Sequence, residues 1–153
     1  MSIDARLAEL NLELPPAPPR GGVYQPVVIT GNLAYISGHG PYQSDETYLT
    51  GRLGDDLDVE AGQAAAKQTG LALLATMKKE LGSLDRIKRV VKMLGMVNAT
   101  PDFGQHPAVI NGCSELYRDV FGEEAGVGAR SAVGMGSLPG NIAVEIEVIF
   151  EIE

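Results

Sequence analysis

The chain contains no tryptophan, one cysteine and two histidines among its 153 residues. The lone thiol, Cys113, rules out an intrachain disulfide framework and any zinc site built from several cysteines. His39 and His106 stand far apart in sequence, so no dense metal-ligand cluster is expected. No apolar run approaches the ~20 residues of a membrane-spanning helix, and Met1 to Arg6 lack the basic-then-apolar pattern of a secretory leader. Basic residues are scarce as well. Against 20 Asp and Glu there are 12 Lys and Arg, a formal charge of −8. A field of that sign repels polyanions. Arg86, Lys88, Arg89 and Lys92 alternate with Ile87, Val90 and Val91, which is the polar edge of a strand and not a phosphate-tracking groove. The expectation is a cytoplasmic domain with neither nucleic acid nor membrane as a partner. A small anionic metabolite remains compatible, because one well-placed arginine outweighs a diffuse field at contact distance.

What is present is ordinary globular composition, 44% hydrophobic and 21% charged, in a length that fits a single domain over residues 1–153. Residues 1–21 divide off as a short helix and a linker. Leu7 and Leu10 are spaced for a helix that Ser2 can cap, and Leu14-Pro-Pro-Ala-Pro-Pro-Arg20 ends it by removing backbone donors. Residues 22–153 form the core. Val23–Ile29 and Leu33–Ser37 are β-rich runs joined by a Gly31-Asn32 turn, and a short third strand is expected around Thr47–Thr50. Asp58 can cap a helix that runs to Leu81 and stops at Gly82, with Ala66, Gly70, Leu73, Met77 and Leu81 as its buried stripe. A strand follows over Ile87–Val97, then a helix from His106 whose apolar face holds Val109, Cys113, Leu116, Tyr117 and Val120. Two more alternating runs, Arg130–Gly136 and Ile142–Ile152, complete the order β-β-(β)-α-β-α-β-β. That order predicts an α+β sandwich, a mixed sheet with two helices on one face.

Strand parity singles out one pair of residues. If Val133 and Met135 share the core with Val144, Ile146 and Val148, and the last two strands form a hairpin with a four- or five-residue loop, Arg130 and Glu145 lie together on the opposite face. The small residues Ala132, Gly134 and Gly136 leave room there. Two readings fit: an exposed sheet face with an incidental ion pair, or a shallow site in which the Arg130 fork grips a carboxylate. In the second case a neighbouring subunit would have to close the site. His39 lies between two glycines at a strand end, where binding loops often sit, although a plain turn residue fits too. Cys113, at core spacing, reads as inert. Ser37 and Ser131 have no suggestive base partner for hydrolase chemistry.

Arg130-Ser-Ala-Val-Gly-Met-Gly-Ser-Leu-Pro-Gly-Asn-Ile-Ala-Val-Glu-Ile-Glu-Val-Ile149 resembles the C-terminal signature of the RidA/YjgF family, also labelled L-PSP endoribonuclease. Gly31-Asn-Leu-Ala-Tyr-Ile-Ser-Gly38 and Tyr117-Arg-Asp-Val-Phe121 support it. The chain is most similar to a longer branch with an added N-terminal segment. The resemblance implies a chorismate-mutase-like fold and a homotrimer whose sheets form a central barrel, with three ligand clefts between subunits. It also implies hydrolysis of 2-aminoacrylate-type enamines and imines to 2-keto acids and ammonia, without metal or organic cofactor. Arg130 would hold the substrate carboxylate and Glu145 would activate water. Tyr24 would line the cleft from across the interface, and Ser37, Gly38, His39, Ser114, Tyr117 and Ala132 are the further substrate-binding candidates. Archetypal members carry a cysteine where this chain has Ala132, and a helix asparagine whose place falls near Ser114. The alternatives are a non-catalytic binder of small carboxylates or keto acids and an endoribonuclease, which the acidic balance disfavours.

Overall fold

Alternating apolar residues turn the C-terminal segment into the central strand of one five-stranded sheet, because every second side chain of that segment must leave water. The computed structural model describes residues 1–153. Its elements in chain order are α1 (Ile3–Glu9), β1 (Val27–Thr30), β2 (Leu33–His39), α2 (Val59–Leu81), β3 (Ile87–Asn98), α3 (His106–Phe121), α4 (Glu123–Gly126), β4 (Ala129–Met135) and β5 (Val144–Ile152). The sheet runs β1-β2-β5-β3-β4. All pairings are antiparallel except β3 with β4. This is the expected α+β class, with α2 and α3 on one face. Asp58 caps α2 by accepting from the Ala61 amide, and Gly82 ends it with a φ of 80°. The core lies between helices and sheet, with Leu73, Leu74, Met77, Ile110, Tyr117, Ile146 and Phe150 wholly buried.

The expected hairpin between the last two strands does not form. β3 lies between β4 and β5, because β3-α3-β4 is a strand-helix-strand crossover that returns the chain parallel to β3. The connection to β5 then passes over the end of β3. The Asn98 side-chain amide donates there to the carbonyl oxygens of Gly51 and Ile142 and to the Asn141 side chain, at 3.0–3.1 Å. The parity expectation falls with the hairpin. Val133 pairs with Met96 on the open face and is 39% exposed, whereas Arg130 pairs with Met93, and Ala132 with Gly95, on the helix face.

Three smaller differences have local causes. β1 begins at Val27 instead of Val23, after Pro26, which has no amide to donate. The third strand shrinks to the isolated bridges Tyr42↔Tyr48 and Thr50↔Ile142. The N-terminal linker is a packed strap: Leu7 and Pro15 are buried, Leu10, Leu12 and Leu14 lie against the core, and Asp4 meets Lys78 at 3.1 Å.

The sheet's other face has no cover from this chain. Val28, Tyr35 and Val133 stand out from it, 53%, 43% and 39% exposed, with Ile149, Leu94 and Met96 between them.

At the helix–helix contact, a Cβ on Gly112 would overlap the Gln63 backbone carbonyl of α2. Backbone cannot swing aside as a side chain can. Gly112→Ala should therefore lower stability by about 1–3 kcal/mol, seen as an earlier midpoint in urea unfolding. An unchanged midpoint would mean the two helices separate freely.

Candidate active site

Two polar half-sites lie on opposite faces of the sheet, one around Arg130 and one around Glu145. Each is built by a different device.

Arg130, near the start of edge strand β4, points toward α3. Its guanidinium donates to the Asn111 side-chain oxygen at 2.7 Å and to the Ser114 hydroxyl at 3.2 Å. Those two residues are three apart on one helix and so share a face. The arrangement holds the fork in place while leaving donors unused. Met93 and Val90 of β3 floor the adjoining cavity of about 340 Å³, and Glu115, Arg118 and Glu123 stand at its edge. Its charges are thus balanced, two arginines against two glutamates. A single small anion fits such a place better than a polyphosphate.

Glu145 sits on the open face of β5, opposite Met96. Its neighbour on the other side is a β-bulge in β2. Ile36 pairs with Val148 and His39 with Ile146, so three residues of β2 span two of β5. The extra residue re-aims the strand, placing Ser37 and Gly38 beside Glu145 and returning His39 to the core side. A Cβ on Gly38 would overlap the Glu145 carboxylate, so only glycine admits the carboxyl here. Burial, reinforced by the nearby Glu147 charge, pushes the Glu145 carboxyl above its usual range. That shift moves it toward the range of a general acid–base. Tyr24, Tyr48, Ile142 and the Pro139–Gly140 turn enclose a cavity of about 550 Å³ in front of it.

The sequence candidates therefore separate into groups. Tyr24, Ser37, Gly38 and Glu145 share one cavity, although the Ser37 hydroxyl is spent on the Gln25 carbonyl at 2.7 Å. Arg130 and Ser114 share the other. Ala132 packs on the core near Arg130. Tyr117 is wholly buried, donating to the Gly70 carbonyl at 3.0 Å. His39 is buried against α2, its ring nitrogens 2.7 Å from the Ser37 carbonyl and the Thr76 hydroxyl. Arg130 and Glu145 do not meet within one chain. Burial pushes the Cys113 thiol up to about 12, which leaves it unreactive. Sequence reasoning missed Asn111, although its three-residue spacing from Ser114 on an amphipathic helix marks it. It also missed Tyr48, whose loop carries no periodicity.

With this geometry in view, comparison with known proteins assigns the class. The family model described as "YjgF/chorismate mutase-like, putative endoribonuclease" matches residues 4–151. The protein TCP17 of Trypanosoma cruzi is 41% identical over 150 residues, 98% of this chain and 94% of that one. The crystal structure of Atu1372 from Agrobacterium tumefaciens, a protein of unknown function, is 45% identical with a TM-score of 0.90, covering 99% of this chain and 92% of that chain. RidA from the Antarctic bacterium Psychrobacter sp. PAMC 21119 is 30% identical with a TM-score of 0.61, covering 89% and 94%. The chain belongs to the YjgF/RidA family. No helix in it is long and apolar enough to cross a membrane.

His39 generates a pH prediction. Desolvation lowers its pKa from the ordinary 6.5, outweighing the opposite effect of the Ser37 carbonyl, which accepts from the ring, and of the Gly38 backbone. Folding thus favours the neutral ring. Its contribution is complete above about pH 6.5 and is lost as pH falls toward the depressed folded value. His39→Gln, which can keep a hydrogen bond to Thr76, should show a smaller acid-side fall in melting temperature than wild type between about pH 8 and pH 5. Parallel curves would contradict this.

Proposed function

We propose that the protein hydrolyses 2-imino acids, and the enamines in equilibrium with them, to 2-keto acids and ammonia at clefts formed between copies of the chain in a homotrimer. The observation that carries this is the division of the chemistry between two faces. Arg130, held by Asn111 and Ser114, offers an anchor for a carboxylate. Glu145, half-buried and raised in pKa, offers a proton acceptor and donor. Neither half-site suffices. A second copy docked by its β4 edge on the uncovered sheet face, burying Val28, Tyr35 and Val133 as apolar surface is ordinarily buried, can bring its Arg130 to this chain's Glu145.

The chemistry asks little beyond positioning. An imine carbon is already electrophilic, so anchoring the carboxylate orients it toward an attacking water. The Glu145 carboxylate takes one proton from that water as its oxygen bonds to carbon. With the imine nitrogen protonated at the outset, this leaves a neutral carbinolamine. Glu145 passes its proton to the nitrogen, then takes the hydroxyl proton as the C=O bond forms and the C–N bond breaks, and ammonia and the keto acid leave. RNA cleavage would call for a basic groove tracking the backbone. The net charge of −8 and the glutamates beside Arg130 oppose it.

The test generates imines in place with an amino-acid oxidase and follows keto-acid formation. Arg130→Ala and Glu145→Gln should each lower kcat/KM by at least ~100-fold. Gly38→Ala should lower it while the protein stays folded, because only the flexible end of Glu145 must move. Light scattering should give three chains per particle. No acceleration by wild type, or equal acceleration by Arg130→Ala, removes the proposal.

A further inference from the structure

Two tyrosines and an isoleucine stand at the cavity in front of Glu145, among ten lining residues that also include four glycines, Pro139 and Ser37. We infer that the substrate carries a bulky apolar or aromatic side chain, received between Tyr24, Tyr48 and Ile142. This rests on the reading above that Glu145 stands at the reacting carbon.

Three observations support the selectivity. The volume, about 550 Å³, is in the range of pockets that enclose drug-sized ligands. The walls are also held in place. Tyr48 rests on the buried Tyr42, ring centroids 5.0 Å apart, and Tyr42 is tied to α2 through Gln68, whose side-chain amide donates to its carbonyl at 2.7 Å. Gly40 brings the backbone so close that an added Cβ would lie 2.8 Å from Ile142 and 3.1 Å from Tyr48. Opposite, the Tyr24 hydroxyl accepts from the Gly21 amide at 3.0 Å, and the Tyr24 carbonyl accepts from Arg20 at 3.0 Å. The N-terminal strap thus ends as a support for this wall. Finally, Tyr24 and Tyr48 are 42% and 39% exposed. Two braced aromatic rings turned to an open cavity present area that an apolar group would cover at little conformational cost.

The discriminating experiment separates binding from turnover. Calorimetry with the unreactive products, phenylpyruvate and pyruvate, should give phenylpyruvate a Kd at least ~10-fold lower. Tyr48→Ala should bring the ratio to within about threefold, and Tyr48→Phe should preserve it. In parallel, imines generated from phenylalanine and alanine should show the same order in kcat/KM. If neither imine is turned over but phenylpyruvate selectivity persists and depends on Tyr48, the hydrolase reading fails while the cavity's selectivity for a bulky apolar side chain stands. Equal Kd values, tighter pyruvate, or a ratio unchanged by Tyr48→Ala would overturn it, whatever the turnover results.

Discussion

The position of β3 governs the rest of the molecule. It lies between β4 and β5, and a sheet has only two faces. Arg130 pairs with Met93 and looks to the helices, whereas Glu145 pairs with Met96 and looks away from them. The intervening strand also keeps β4 and β5 about 10 Å apart, and the three-residue offset from Met93 to Met96 adds about 10 Å along the strands. No rotamer change reunites the two within one chain. If they act on one molecule, the sheet must supply them from two copies, and the uncovered apolar face is where those copies would meet.

Each half-site is held by backbone irregularity or helix geometry and not by ion pairing. On the Glu145 side the β-bulge spends one extra residue to present Gly38 outward and turn His39 inward, where the buried ring links Ser37 to Thr76 of α2. The Asn98 amide performs a comparable task at the strand ends, tying the Gly51 loop to the turn before β5. On the Arg130 side, two residues one helical turn apart on α3 are enough. These supports keep charged and polar side chains in place before any ligand arrives, the condition under which positioning can contribute to a rate.

Much of this was legible in the residues. The helix from Asp58 to Gly82 follows from its cap and its terminator, and the β5 face follows from strict alternation between Val144 and Ile152. Arg130 is the one charged residue of its alternating segment, whereas Glu145 shares its run with Glu147 and Glu151 and stands out only through the family signature. Their relation did not. Alternation states which residues of one strand share a face, and it is silent on which strand lies alongside. The inference that Val133 belongs in the core assumed a hairpin, and the crossover through α3 overrode it. The bulge at Ser37–Gly38 is likewise invisible to a period-two pattern, since it appears only when the partner strand is in place. Asn111 was recoverable from its spacing with Ser114. Tyr48 was not, because its loop is shaped by contacts with Tyr42, Gly40 and Ile142, which are remote from any repeating signal.

The claim that one site draws on two chains can be measured by mixing inactive variants. Arg130→Ala and Glu145→Gln chains, unfolded together in equal amounts and refolded, assemble at random into cyclic trimers. About a quarter of the clefts would then pair an intact arginine with an intact glutamate. Activity should rise from near zero in either variant alone to about a quarter of wild type in the mixture. A mixture as inactive as its components, with mixed trimers confirmed by mass, would contradict the account.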